Sequence, residues 1–232
     1  MTAEPIELSG RGGELPSWRS VLAVVAHPDD ESFGLGAVLD TFARRGAQVS
    51  VLCLTQGEAS TLHGVPGDLR ALRARELQSA ATVLGLTRAV LADHPDGALA
   101  SVAPSGLAAE VDEAADASAA QGLLVFDPSG VTGHPDHVAA TSVALEVAGR
   151  RGLPVLGWTL PREVADRLNE ELGTGFVGHD PADVDLRVEV DRQRQRQAAL
   201  AHASQAIPTS VLWRRLELLG DREHLRWLRA AG

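Results

Sequence analysis

Two short clusters combine residues able to hold a metal ion and move protons: His27-Pro28-Asp29-Asp30-Glu31 and His134-Pro135-Asp136-His137. Zinc binds His nitrogen and Asp oxygen, and a catalytic zinc keeps three protein ligands with one position open for water. His27 and Asp30 lie three residues apart, a spacing that can aim both at one point. The second cluster offers His134 and His137 for the third ligand, and three residues apart on a helix both can face the same pocket. With His137, one turn into its helix, in that role, Asp29 and His134 are left for acid–base work. A bound metal lowers the pKa of its water and polarises a carbonyl, and a neighbouring carboxylate can take the water's proton. An imidazole can stabilise the developing oxyanion or protonate the departing amine. Lewis acid, base and proton donor are what water needs to attack an amide.

These clusters need elements that bring them together. Residues 21–26 form a continuous apolar run ending at His27, which reads as a fully buried parallel strand. Residues 122–126 form another, followed by a loop at 127–133 and the second cluster. Between them, helices are expected at 33–45, 68–84 and 104–120, and strands at 48–55 and 89–92. Pro135 opens a helix over 135–151 at the turn where Pro is tolerated. Strand and helix thus alternate, which implies right-handed βαβ units and a mostly parallel, twisted sheet with helices on both faces. In such three-layer, Rossmann-like α/β folds, ligands bind outside the carboxyl ends of the strands, where both clusters fall. Residues 56–67 hold three Gly and one Pro and read as a long functional loop.

A core at about 20–160 is followed by a smaller extension at about 161–232, read as part of one domain. A strand is expected at 155–160, a helix at 162–172, and an alternating, half-buried edge strand at 184–190. Residues 191–204 and 210–231 read as helices. A lone His-Pro-Asp also suits an ordinary helix N-cap followed by Pro, as at His94-Pro95-Asp96. Two acid-rich clusters at strand ends are harder to explain by capping. Gly34-Leu35-Gly36 lacks the third Gly of a dinucleotide fingerprint, and its acidic neighbours would repel a pyrophosphate.

The formal net charge is −10, from 21 basic and 31 acidic residues. That balance argues against nucleic acid and anionic membranes as partners. Residues 1–20 have no apolar core of a signal peptide, and no run is long enough to span a membrane. The single cysteine, Cys53, reads as a buried small hydrophobe and suits the reducing cytoplasm. The expected partner is a small-molecule substrate, with room for a homo-oligomer.

At these residues the sequence resembles the LmbE-like, or PIG-L, deacetylase family. The resemblance rests on A-H-P-D-D-E at 26–31 and G-H-P-D-H at 133–137. L-T-x-G-E at 54–58, R-x-x-E-L at 73–77 and H-x-S-Q at 202–205 support it. It implies a Zn²⁺-dependent hydrolase of N-acetyl groups, often on N-acetylglucosamine conjugates such as precursors of mycothiol or bacillithiol. It further implies His27, Asp30 and His137 as metal ligands, Asp29 as general base, and His134 as oxyanion stabiliser or acid. Arg73 is implied as a contact to the sugar-bearing substrate, and Asp96 is a comparable candidate for binding its hydroxyls. Glu31 and Asp136 are expected to orient the ligands, as metal sites require. His202 in H-x-S-Q reads as structural, and His63, His94, His179 and His224 as loop or surface residues.

This chain departs from the family in two places. Some members carry a Tyr just before G-H-P-D-H, where this chain has Thr132 and no Tyr anywhere. Many carry a Lys ahead of H-x-S-Q, where this chain offers nothing beyond Arg196. A His₂Asp site also accepts Fe²⁺ or Co²⁺. The same site would serve a carbohydrate esterase or an amidase acting on another acyl group. A non-catalytic metal- or sugar-binding protein is the remaining reading, and the presence of both Asp29 and His134 argues against it.

Overall fold

The computed structural model describes residues 13–60 and 68–230; the expectations for His63 and for residues 61–67 of the long loop lie outside them. Among the described residues, eight strands form the sheet: β1 (Ser20–Val25), β2 (Gln48–Thr55), β3 (Arg88–His94), β4 (Gly122–Phe126), β5 (Val155–Pro161), β6 (Gly178–His179), β7 (Leu186–Glu189) and β8 (Arg222–Arg229). Their order is β3-β2-β1-β4-β5-β8-β7, with β6 beside β5. The first five and β6 run parallel, whereas β8 is antiparallel to both β5 and β7. The expected three-layer α/β sheet is therefore present, with a mixed edge.

The nine helices of the described residues are α1 (Asp30–Phe33), α2 (Gly36–Arg44), α3 (Leu69–Leu84), α4 (Pro104–Ser118), α5 (Gly130–Gly133), α6 (Pro135–Arg151), α7 (Arg162–Leu172), α8 (Gln193–Ala201) and α9 (Val211–Leu219). Strand β1 shows why the sheet needs a layer on each side. Its side chains alternate, so Val21, Ala23 and Val25 join a core with Leu39 and Phe42 of α2 and Leu77 of α3. Leu22, Val24 and Ala26 meet Val111 of α4 and Val143 and Val147 of α6 on the opposite face. A run buried on both faces has no polar positions to spare, which accounts for its unbroken apolar sequence. Cys53 lies in the first core and is fully buried, as expected.

Two sequence expectations fail in instructive ways. The helix expected over 33–45 starts at Asp30 and breaks at Gly34 and Leu35 before resuming as α2. Gly34 abuts β4 so closely that a Cβ there would sit 2.3 Å from Phe126 Cε1. The Gly34-Leu35-Gly36 run thus serves close packing. The tail expected to be one helix over 210–231 instead ends α9 at Leu219, turns at Gly220 (φ 58°), and enters β8. Strand β8 is stabilised by pairing on both sides, a long-range gain that local helix propensity does not register. His224, read as a surface residue, lies in that strand and is only 3% exposed. The edge strand expected at 184–190 is β7, at Leu186–Glu189.

Candidate metal centre

Strands β1 and β4 are neighbours, so their carboxyl ends bring the two clusters together. His27 follows β1 directly. Asp30, the first residue of α1, folds back so that its Oδ2 accepts the amide protons of Ala26 (3.2 Å) and His27 (2.8 Å). His137, in the first turn of α6, completes a triangle. His27 Nδ1 is 3.2 Å from His137 Nε2, His137 Nε2 is 3.2 Å from Asp30 Oδ1, and His27 Nδ1 is 3.5 Å from Asp30 Oδ2. Ligands held about 2.1 Å from a tetrahedral zinc stand about 3.4 Å from one another. The two imidazole nitrogens are spaced as on one face of such a site, and the Asp30 carboxylate reaches each of them with a different oxygen, Oδ1 to His137 and Oδ2 to His27.

Each ring is oriented by what its other nitrogen does, as metal-binding imidazoles require. His137 Nδ1 lies 3.1 Å from the carbonyl oxygen of Gly130, to which it donates its proton, leaving the Nε2 lone pair for a metal. The ring also rests edge-on against Phe126, with centroids 4.9 Å apart. His27 Nε2 faces two carboxylates, Asp136 Oδ2 at 3.3 Å and Asp96 Oδ1 at 3.2 Å. Asp136 is fully buried and also accepts the amides of Gly97 (2.8 Å) and Leu99 (3.0 Å), tying α6 to the turn after β3. Asp96 Oδ2 accepts the Ala59 amide at 2.8 Å. The third His-Pro-Asp, which alone looks like a cap, thus delivers its carboxylate to the centre. The short α5 turn before α6 is held in an unusual shape: Val131 has φ 66°, rare for a β-branched residue, and its carbonyl accepts the Val177 amide at 2.8 Å.

His134 caps α6, its Nδ1 accepting the Asp136 amide at 3.2 Å, so the ring proton of the neutral imidazole belongs on Nε2. Its ring centroid lies 4.8 Å from those of His27 and His137. Asp29 stands next to the triangle, its Oδ2 3.0 Å from Arg73 Nη2. Arg73, on α3, is 3% exposed; it also donates to the carbonyl of Gly57 (2.8 Å) and to that of Pro28. The guanidinium is bonded to the protein around Asp29, which a surface salt bridge on a helix would not be. Gly57 makes room for it, since a Cβ there would lie 2.2 Å from Arg73 Nη1. Glu31 and His202, both without exposed surface, are joined at 2.7 Å. Thr132, in α5, is exposed.

The electrostatics follow from this crowding of carboxylates. Burial pulls the His27 imidazole down, but hydrogen bonds to Asp136, Asp30 and Asp96 outweigh it and push its pKa up to about 12. Burial also opposes charge on His137, yet Asp30 raises its pKa overall. Asp30 is held well below the carboxylate range by these two rings despite its burial. Protons on the imidazoles thus balance charge that a divalent cation would otherwise balance, and metal binding would release them. Asp29 behaves oppositely: burial raises it, Arg73 lowers it, Asp30 raises it, and the net pKa is about 6. His134 is lowered by burial and by the neighbouring imidazoles. Two acids with pKa values driven apart, and nearby an imidazole whose pKa is lowered, are the pattern of an acid–base site.

Comparison with known proteins agrees with this geometry. The profile described as "PIG-L: GlcNAc-PI de-N-acetylase" matches residues 22–148, more than half of the chain. The chain belongs to the PIG-L family. Among PIG-L relatives, the 1D-myo-inositol 2-acetamido-2-deoxy-alpha-D-glucopyranoside deacetylase of Kineococcus radiotolerans is 32% identical over 196 residues, covering 70% of this chain and 54% of the relative. The probable N-acetyl-alpha-D-glucosaminyl L-malate deacetylase 2 of Bacillus anthracis is 28% identical over 90% of this chain and 92% of its own. The chain spans about half the length of several curated relatives that it matches. In fold, the crystal structure of an antimicrobial pseudoaglycone deacetylase superposes with a TM-score of 0.69 at 22% identity, covering 90% of this chain and 96% of that one. Within the matched segment lie the H-P-D-D and H-P-D-H residues of the centre, while the H-x-S-Q residues lie beyond it. No helix among the described residues is long and apolar enough to cross a membrane.

Proposed function

We propose that this chain hydrolyses the N-acetyl group of a small N-acetylglucosamine-like conjugate, using Zn²⁺ held by His27, Asp30 and His137. The observation that carries the reading is the convergence of His27, His137 and the Asp30 carboxylate at 3.2–3.5 Å, beside the half-buried Asp29 carboxyl, whose pKa is raised to about 6. The relatives' names supply the substrate class, and the buried Cys53 and acidic surface suit a cytoplasmic enzyme. Zinc bound there supplies a Lewis acid that polarises the amide carbonyl and makes water a better nucleophile.

The chain's own residues supply the rest. Asp29 is ionised at neutral pH and accepts the proton of the attacking water. Having taken it, the carboxyl is an acid matched to return that proton to the departing amine. His134 donates from Nε2 to the carbonyl oxygen as negative charge gathers there; its Nδ1, occupied by the Asp136 amide, fixes that tautomer. Arg73 keeps Asp29 ionised and in place, and acts on substrate through it. Asp96, between His27 and the Ala59 amide, stands at the edge of the centre where a sugar hydroxyl would reach.

The test is metal analysis of the purified chain together with acetate release from N-acetylglucosamine conjugates. One equivalent of zinc and metal-dependent acetate release are expected. A metal-loaded protein that releases no acyl group from a panel of N- and O-acyl sugars would leave only a binding role.

A further inference from the structure

Asp29 pays a conformational penalty. Its backbone sits at φ 140°, ψ −25°, a region that side-chain-bearing residues rarely occupy. Such outliers cost of order 1–3 kcal/mol and persist only where surrounding contacts over-determine them. Here those contacts are specific. The Asp29 amide donates to Glu31 Oε2 at 3.0 Å, and the Asp29 carbonyl accepts the amides of Ser32 and Phe33. The other Glu31 oxygen accepts the Ser32 hydroxyl at 2.5 Å and faces His202 Nε2 at 2.7 Å.

Glu31 and His202 have no exposed surface, so neither charge can be borne by water. A buried carboxylate needs a bonded partner, and His202 is that partner, supplied from 171 positions along the chain. The segment that carries it is itself anchored. Ser204 donates its amide (2.8 Å) and its hydroxyl (2.7 Å) to Glu76 of α3, three residues from Arg73. Gln205 Oε1 accepts the Ser60 hydroxyl at 2.7 Å, from the loop that holds Gly57. The Phe33 ring meets the His202 ring edge-on, with centroids 6.1 Å apart.

We propose that His202, through Glu31, is a positioning residue for Asp29: the H-x-S-Q segment sets where the general base stands without touching substrate or metal. The proposal rests on the hydrolase reading above, and gives H-x-S-Q a catalytic consequence beyond packing. Glu31 holds the Asp29 main chain, whereas Arg73 holds its carboxylate. The base is therefore fixed at two points by two separate parts of the chain.

The experiment compares wild type with His202→Asn, His202→Leu and His202→Gln. The Gln amide nitrogen can stand where His202 Nε2 stands and still donate to Glu31; the Asn amide is too short and Leu cannot donate. Expected for folded Asn and Leu variants is a kcat lower by about tenfold to a hundredfold, the scale on which misplacing a reacting group acts. KM and bound zinc should stay near wild type, and His202→Gln should recover most of kcat. Crystal structures of the metal-free proteins provide a readout independent of turnover: in the Asn and Leu variants Asp29 leaves the Glu31 and Arg73 contacts while His27 and Asp30 remain. Displacement of Asp29 in a protein whose wild type hydrolyses no acyl sugar would sink the hydrolase reading and leave the positioning role standing. A folded Asn or Leu variant with wild-type kcat and an unmoved Asp29 overturns the proposal. His202→Gln decides even if the other two do not fold: loss of kcat with Asp29 undisplaced overturns it as well.

Discussion

Arg73 Nη2 lies 3.0 Å from Asp29 Oδ2, and the two side chains are only 3% and 16% exposed. The guanidinium opposes burial and the Asp30 charge, which alone would drive the Asp29 carboxyl higher than about 6. The reactive form of a general base is the carboxylate, present above its pKa. The rate kcat/KM of the metal-loaded enzyme should therefore fall as pH drops through about 6 or below, since a bound cation lowers the carboxyl further. Arg73→Met removes the lowering influence, so its acidic limb should move to higher pH. Paired pH–rate profiles read the shift directly; a limb that stays put or moves down would refute this electrostatic role.

Base and ligand are separable at adjacent positions. Asp29→Asn should keep one equivalent of metal and lose about a hundredfold to ten-thousandfold in kcat, the range general-base catalysis supplies. His134→Ala should likewise retain metal and lose rate, because its ring is engaged by the Asp136 amide at Nδ1 and leaves ligation to the other three residues. Metal content measured beside turnover checks both. Loss of zinc from either variant would redraw the ligand set.

Removing a ligand and removing its support should differ in degree. His27→Ala and chelator treatment should each abolish bound metal and activity, and Zn²⁺, Co²⁺ or Fe²⁺ should restore the chelated wild type only. Asp136→Asn disturbs the orientation of His27 Nε2 and brings a donor against the Gly97 or Leu99 amide. Metal affinity should drop by about tenfold to a hundredfold, as when supporting carboxylates of metal-bound histidines are replaced. Competition with a chromophoric chelator measures it; unchanged affinity would show that His27 needs no such orientation.

Gly34→Ala tests the packing behind the centre. Its Cβ would meet Phe126 Cε1 at 2.3 Å, and Phe126 in turn contacts the His137 ring. Overpacking should destabilise the protein by about 1–3 kcal/mol, and the displaced ring should weaken metal binding along with it. Thermal unfolding and zinc titration of the same sample check the two effects. A stable variant with intact metal binding would mean that Phe126 moves freely.

Much of this was readable from residue order because the relevant physics is local. Apolar runs at β1 and β4, each ending in a His-Pro-Asp, locate the strand ends, and parallel pairing of those strands does the rest. Three things were harder to read. Strand β8 is defined by partners far away in sequence, and its Arg- and Leu-rich stretch looks helical on its own. Arg73, one of several arginines on α3, gives no local sign that it turns inward to Asp29. His202 resembles any helix-end histidine until Glu31 is seen against it. In each case the missing information is which distant side chain sits opposite, and a periodic pattern carries none of it. Asp96 shows the converse: a motif that suits a helix cap reaches the centre because β3 pairs with β2 and the turn after it meets Glu58 and Ala59.

Strand β8 lies inside the sheet, and β7 pairs with nothing else among the described strands. During synthesis, residues 186–189 must wait for residues 222–229 before they acquire a neighbour, while the βαβ half bearing the two His-Pro-Asp clusters can already assemble. Closing this edge is thus a late antiparallel insertion. Partly made chains would present an open β5 margin to one another, and self-association through that margin is the hazard a chaperone would have to suppress.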